Sequence, residues 1–411
     1  MAAGALESLL EEALARRAVP GAAIGVLHEG TVETYAFGVL DVRTGEPVTP
    51  VSTFRIASIT KPFTATLALY MSLSALISLD EVVPGREPEV TVQHLLSHLG
   101  GFEGERGDLA RFGDGDDALP RLVEELAEQR QLVAPDELWS YSNAGYWLLG
   151  QFLADRLGGT YEDVLGDWVL RPLGLSRTSF AAPDATGHDG DLPLHDSYPR
   201  ARRPSGGLVS DVADLLAFAG FHLETPDTEF LRAPVVDTPD GDYGFGFTLE
   251  RIGDLELWGH GGNLDGWTSL LALEPESGFA FAALANAGGA RRALDELLGV
   301  ALEQEFGVRR EPPETIEATP AELAPLAGRY RRSELELEVR PDAGALVVEG
   351  VEIHRVTGAR TSFGPLRARS IGPRRFAVEG GDHDGERFDF HPLDGAPSFV
   401  RFGSVLAGRV S

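Results

Sequence analysis

The 411-residue chain has no cysteine and a single lysine. Without cysteine it can have no disulfide, no thiolate metal site and no cysteine nucleophile. Positive charge comes instead from 34 arginines (35 basic residues less the one lysine), and the formal charge is −29. That balance excludes nucleic acid as an expected partner, because phosphate-backbone binding needs clustered positive charge. Long apolar runs are also scarce. The uncharged stretch 62–79 holds Thr64, Thr66, Ser72, Ser74 and Ser78, and no second such stretch follows. It reads as a buried central helix, so no membrane span is expected. No secretion signal opens the chain. Ala5 to Arg17 carries Glu7, Glu11 and Glu12 among Leu6, Leu9, Leu10, Ala13 and Leu14 at helical spacing, which reads as an amphipathic surface helix. A cytoplasmic protein is therefore expected.

The lone lysine is Lys61, in Phe54-Arg55-Ile56-Ala57-Ser58-Ile59-Thr60-Lys61-Pro62. Arginine keeps its proton in proteins, whereas a lysine near low-dielectric walls or another cation can release one. A chain that meets every other cationic need with arginine has a chemical reason for one amine. Pro62 fits a helix only in its first turn, so the helix is expected to begin near Ala57 to Thr60. Ser58 then sits at a helix N-terminus, where developing negative charge is favoured. Lys61 lies one turn on, within reach of the Ser58 hydroxyl. Serine with its own base is the pattern of an activated nucleophile. The bland alternative is a capping serine beside a surface lysine.

Two further stretches carry polar groups in unusual settings. Tyr141-Ser142-Asn143 precedes an amphipathic helix through Trp147, Leu148, Leu149 and Phe152. A tyrosine hydroxyl beside a cation can act as a general base. Taken alone, Asn143 reads as an N-cap and Tyr141 as core packing. His260-Gly261-Gly262-Asn263 ends the strand pattern of Leu255 and Leu257, and its two glycines would let a substrate backbone come close.

The remaining pattern predicts a hairpin of Ala22–Leu27 and Thr31–Phe37 turning at Glu29-Gly30, and a helix end with a glycine stop after Val90–Leu96. His98, at that end, reads as structural. A helix over Arg121–Gln129, an irregular excursion over Ala181–Arg203, a tight turn at Ser205–Leu208 and a helix capped by Ser210 follow. Thr268–Leu273 and Phe279–Asn286 read as an antiparallel pair, and Arg291–Phe306 as a closing helix. Residues 311–317 read as a linker. Beyond them Leu335, Leu337 and Val339 alternate with Glu336 and Glu338, the mark of a small all-β module. Asp382-His383-Asp384 reads as a solvated hairpin, and no metal site is expected.

Ser-x-x-Lys, Tyr-x-Asn and His-Gly-Gly, in that order, resemble the serine β-lactamase and penicillin-binding-protein superfamily. Tyr141-Ser142-Asn143 is similar to the second motif of class C β-lactamases, D-aminopeptidases and family VIII esterases. His260-Gly261-Gly262 replaces the family's Lys-Thr-Gly. The resemblance covers about residues 1–310 and implies an α+β fold, with an antiparallel sheet flanked by helices and an all-helical lobe. Leu326-Ala327-Gly328-Arg329-Tyr330 resembles the lipocalin-like barrel appended to some D-amino-acid peptidases, which implies a small C-terminal β-barrel over 318–411. The resemblance implies Ser58 as nucleophile and Lys61 with Tyr141 for proton transfer. It implies Asn143 and His260 for binding substrate, and the N–H groups of Ser58 and Asn263 as the oxyanion hole. Histidine in place of lysine weakens carboxylate recognition, so β-lactams rank low. The expected substrate is a short ester, a small peptide or a D-amino-acid amide, without a cofactor. A carboxylesterase and a non-catalytic binding relative are the alternatives, and a homo-oligomer is left open.

Overall fold

The computed structural model describes residues 11–103, 108–128, 131–354 and 356–410. The start of the expected first helix, Gln129 and the side chain of Asp382 lie outside the described residues. Residues 11–16 are helical and bury Ala13 and Leu14.

The fold is α+β. Its main sheet contains β1 (Gly21–His28), β2 (Thr31–Gly38), β3 (Val236–Thr238), β4 (Gly241–Tyr243), β5 (Thr248–Ile252), β6 (Leu255–Leu264), β7 (Trp267–Glu274) and β8 (Phe279–Ala285). The order is β2-β1-β8-β7-β6-β5-β4-β3, antiparallel throughout. The predicted hairpin turn at Glu29-Gly30 is present, both residues having positive φ (49° and 75°), as a tight two-residue connection requires.

Helices cover both faces of this sheet, so β8, in its centre, is apolar at every position. In β8, Phe279, Phe281, Ala283 and Ala285 join a core with Ala22, Ile24, Leu294 and Leu298. The alternate residues Ala280, Ala282 and Leu284 join the other core with Leu216 and Phe218. The period-two alternation of a strand is thus between two cores rather than between core and solvent.

Five helices matter for the site: α1 (Thr60–Leu73), α2 (Ala118–Leu126), α3 (Asn143–Leu157), α4 (Val212–Glu224) and α5 (Arg291–Phe306). Helix α1 is buried from Thr60 to Leu69. Its hydroxyls are tolerated there because they are paired. Thr64 Oγ1 donates to the Pro204 carbonyl (2.8 Å) and lies 2.7 Å from the Tyr161 hydroxyl. Thr66 Oγ1 donates to the Pro62 carbonyl (2.8 Å). The helix stops at Leu73, short of the expected residue 79, where Ala75 takes a left-handed conformation (φ 57°) and turns the chain. Helix α2 begins at Ala118, three residues before the expected Arg121. Ser210 does not cap α4. It pairs with Phe54 in a two-residue bridge, and Asp211 caps the helix by accepting from the Asp214 N–H (2.9 Å). The expected turn at Ser205–Leu208 is instead the end of a helical turn over Arg203–Gly206.

The C-terminal strands are β9 (Gly328–Arg332), β10 (Leu335–Asp342), β11 (Ala345–Ile353), β12 (Arg360–Gly372), β13 (Arg375–Glu379), β14 (Arg387–His391), β15 (Phe399–Phe402) and β16 (Val405–Val410). They form a closed antiparallel barrel, β16 returning to pair with β9. Leu335, Leu337 and Val339 point into its core, as their alternation with glutamates requires. The hairpin at Asp384 is exposed, and it is also a contact between the barrel and α5. Arg292 donates to the carbonyls of Gly381 and Asp384, both at 3.0 Å.

Thr64→Val is isosteric but strips a buried hydroxyl from the Thr60 and Pro204 carbonyls and the Tyr161 hydroxyl. It is expected to lower stability by about 1–3 kcal/mol. Urea unfolding measures this, and an unchanged midpoint would contradict the packing described for α1.

Candidate active site

The segment that carries Ser58 leaves a two-residue strand, Phe54–Arg55, and enters α1 through a 3₁₀ turn at Ala57–Ile59. Ala57 makes the bend with φ 48°, a left-handed conformation that costs a non-glycine residue energy and therefore needs support from its surroundings. Ser58 is partly exposed just beyond it. The α-helix proper starts at Thr60, so Ser58 sits in the lead-in turn, and the three-residue spacing still brings Lys61 to it.

Lys61 is fully buried. Its Nζ lies 3.1 Å from Ser58 Oγ, 2.6 Å from Asn143 Oδ1 and 2.8 Å from the Ser205 carbonyl. Of these three groups only the serine hydroxyl can also donate. A neutral amine that keeps donating to Asn143 and Ser205 turns its lone pair on Ser58, the geometry of proton abstraction. The amine also faces the ring of Tyr141, 4.7 Å from the centroid.

Asn143 is the first residue of α3, and Ser142, not Asn143, is the N-cap, its Oγ accepting from the Gly145 N–H (3.2 Å). The Asn143 side chain is thereby left for Lys61. Ser205 was not singled out from the sequence, since a backbone carbonyl leaves no trace in side-chain chemistry. It is placed by Trp147, whose Nε1 donates to Ser205 Oγ (2.8 Å).

His98 is a support of the site. Its Nδ1 accepts from the Ser142 N–H (3.1 Å), so Nε2 carries the hydrogen and meets the Tyr243 hydroxyl at 3.1 Å. Its ring packs on Tyr141, with centroids 4.2 Å apart. Burial, reinforced by Lys61, pushes its pKa well below the ordinary 6.5, so it stays neutral.

His260 is 4% exposed. Nδ1 lies 2.6 Å from the Gly261 carbonyl. A carbonyl only accepts, so Nδ1 holds the hydrogen and Nε2 keeps its lone pair. That Nε2 is buried and makes no hydrogen bond among the described residues. Burial, then Lys61, lowers the His260 pKa to about 3. The third motif therefore presents a neutral acceptor where the family lysine is a cation.

The two glycines do not clear space for substrate, as the sequence suggested; groups of the protein itself fill it. A Cβ on Gly262 would overlap Ser269 Oγ and the Ile56 carbonyl and lie 3.0 Å from Ala57 Cβ. Ser269 Oγ donates to that Ile56 carbonyl (2.7 Å), fastening the sheet to the turn that carries Ser58. A Cβ on Gly261 would overlap the Arg291 guanidinium. Asn263 is exposed. Strand β5 pairs with β6 only as far as Gly259, whereas β7 follows β6 to Leu264. The Gly259 carbonyl faces β5, accepting from Thr248 Oγ1 (2.9 Å). Alternate residues of a strand direct their N–H and C=O groups to one edge. Those of Gly261 and Asn263 therefore face the open edge beyond β5.

Among the described residues no group of His, Asp and Glu is placed to hold a metal ion, and no helix is long and apolar enough to cross a membrane.

Comparison with known proteins identifies the family. The family model described as Beta-lactamase matches residues 6–304. The chain belongs to the β-lactamase family. It is 33% identical over 365 residues to penicillin-binding protein 4 of Amycolatopsis lactamdurans, covering 76% of this chain and 93% of that one. It is 28% identical to a D-aminopeptidase of Gluconobacter oxydans, covering 82% of this chain and 67% of that one. A crystal structure of SurE with D-Leu superposes with a TM-score of 0.78 at 27% identity and covers 99% of both chains, barrel included. Membership of this β-lactamase family makes the protein a serine hydrolase.

Two outcomes follow from the site. Gly262→Ala should slow the reaction of Ser58 with a fluorophosphonate at least about tenfold and cost about 1–3 kcal/mol, because the added methyl must displace Ser269 Oγ, the Ile56 carbonyl and Ala57 Cβ. A wild-type labelling rate would contradict the close approach. The depressed His260 pKa means that the unfolded chain takes up the proton first as pH falls. The stability it contributes is present above 6.5 and is lost between there and about 3. His260→Gln should lose about 1–2 kcal/mol less than wild type between pH 7 and pH 5 in urea unfolding. Parallel losses in the two proteins would show that His260 is not buried neutral.

Proposed function

We propose that the enzyme cleaves amides or esters of D-amino acids and short D-peptides through an acyl-enzyme on Ser58. The observation that carries this reading is the buried, unpartnered Nε2 of His260. It can accept a hydrogen from a substrate N–H, and it offers no positive charge to the carboxylate of a β-lactam. The D-aminopeptidase relative and the D-Leu bound to SurE support the D configuration.

In this mechanism Ser58 Oγ attacks the substrate carbonyl while the Lys61–Tyr141 pair takes its proton. The C–N or C–O bond then breaks, and the pair passes the proton to the departing amine or alkoxide. Water, deprotonated by the same pair, attacks the ester carbonyl and releases Ser58 with its proton restored. The N–H groups of Ser58 and Asn263 bind the oxyanion, a term worth roughly 10²–10³ in rate per donor. Asn143, held against Lys61, orients the amine and the acyl group. The β6 edge beyond β5, at Asn263, receives the substrate backbone as an added strand. Residues 1–310 would form the hydrolase domain, 311–317 the linker and 318–411 the barrel domain.

A carboxylesterase is the second reading, favoured by the same missing cation. Initial rates on D-alanine p-nitroanilide, L-alanine p-nitroanilide, p-nitrophenyl butyrate and nitrocefin separate them. The expected order places the D-anilide well above the L-anilide and nitrocefin, with Ser58→Ala inactive on all four. Turnover of the butyrate ester alone would replace the peptidase reading with the esterase.

A further inference from the structure

The segment 139–142 belongs to no helix or strand except through its last residue, the cap of α3. Its backbone groups must therefore be satisfied by tertiary contacts, and those contacts set where Tyr141 stands. From one side His98 takes the Ser142 N–H, and the His98 carbonyl accepts from the Ser140 N–H (3.2 Å). From the other side the contacts come from the barrel.

Ser404 lies between β15 and β16 with φ 66°, and its carbonyl accepts from the Tyr141 N–H at 2.9 Å. The N–H of Leu406 donates to Ser140 Oγ (3.2 Å). Arg401 Nη1 donates to the Trp139 carbonyl (3.3 Å), and the guanidinium lies 5.3 Å from the Trp139 ring centroid. Its Nε and Nη2 grip both oxygens of Asp389 at 2.9 and 2.5 Å. Arg401 and Asp389 are each 3% exposed. A buried ion pair is weak evidence for stability but fixes geometry, because a guanidinium fork and a carboxylate meet in one plane.

We propose that Arg401, Asp389 and the Ser404 carbonyl are positioning elements for Tyr141. The barrel completes the proton-transfer geometry of the hydrolase rather than merely flanking its cleft. The chain of contact runs from Asp389 through Arg401 to Trp139, and in parallel from Ser404 directly to the Tyr141 N–H. Arg401 touches no reacting atom. Its effect reaches the chemistry through the placement of the Tyr141 ring against Lys61. The charged or titratable groups facing that ring include Lys61, His98 and His260. This inference rests on the reading that Tyr141 takes part in proton transfer.

The test uses the full chain and needs no knowledge of the substrate. The rate constant for fluorophosphonate reaction at Ser58, normalised to the labelled fraction, is measured from pH 5 to 10. Wild type is compared with Arg401→Ala, Arg401→Lys, Ser140→Ala and Tyr141→Phe. Displacing a catalytic group by about 1 Å costs on the order of 100-fold. Arg401→Ala is expected to react about 10–100-fold more slowly, with Arg401→Lys and Ser140→Ala in between. The acid limb should move by about half a pH unit or more, since the apparent ionisation belongs to the Lys61–Tyr141 pair. A purely structural role for the barrel contact would lower the labelled fraction and leave the profile in place. If Arg401→Ala does not fold, Ser140→Ala removes one contact without stranding a charge and reads the same profile. Wild-type rates and profiles in the Arg401 and Ser140 variants, with Tyr141→Phe slow, overturn the barrel's role alone. A wild-type rate in Tyr141→Phe removes the proton-transfer reading of Tyr141, and this inference with it.

Discussion

The burial of one amine organises this molecule. Lys61 Nζ is out of contact with water and is held by Ser58 on its own turn and by groups from two distant parts of the chain, Asn143 at the start of α3 and the carbonyl of Ser205. A buried ammonium group is costly unless each of its hydrogens finds an acceptor. Those acceptors must be placed by neighbours that have no other reason to meet. Trp147 fixes Ser205, Ser142 caps α3 so that Asn143 is spared, and His98 secures the cap from behind.

The sheet approaches the same point from the other side. Gly262 lets β6 run against the Ser58 turn, and Ser269 fastens the two. The strained Ala57 is held at that junction. Beyond the end of β5, the edge of β6 at Asn263 has no neighbouring strand. Strain at Ala57, the missing side chain at Gly262 and the open strand edge at Asn263 are departures from local preference. Each makes sense only through the site it serves.

Much of this was legible in the sequence because it depends on residue types that are costly elsewhere. A solitary lysine, a proline one residue after it and a Tyr-x-Asn before a helix each restrict the chemistry strongly. The sheet core, α5 and the barrel strands were legible through periodicity. What stayed hidden depends on backbone groups and on three-dimensional neighbours. Ser205 acts through its carbonyl, and His98 accepts from an amide 44 residues away in sequence. The glycines of the third motif looked like space for substrate because a sequence does not show that Ser269, Ile56 and Arg291 fill it. The end of α1 was misplaced for a similar reason. Nothing in the uncharged run shows that Ala75 turns left-handed to bring the chain back.

In the proposed mechanism position 61 needs a cation that can also be a base. The measurement that tests it most directly is the pre-steady-state acylation rate of Lys61→Arg, in protein whose circular dichroism matches wild type. Arginine retains the charge and several donors but does not release a proton at accessible pH. The account predicts that acylation of Ser58 falls by at least about 10³-fold, within the range that general-base and nucleophile activation together supply. Acylation within tenfold of wild type would show that Lys61 serves as a fixed charge, and the proton-transfer role would then have to lie elsewhere.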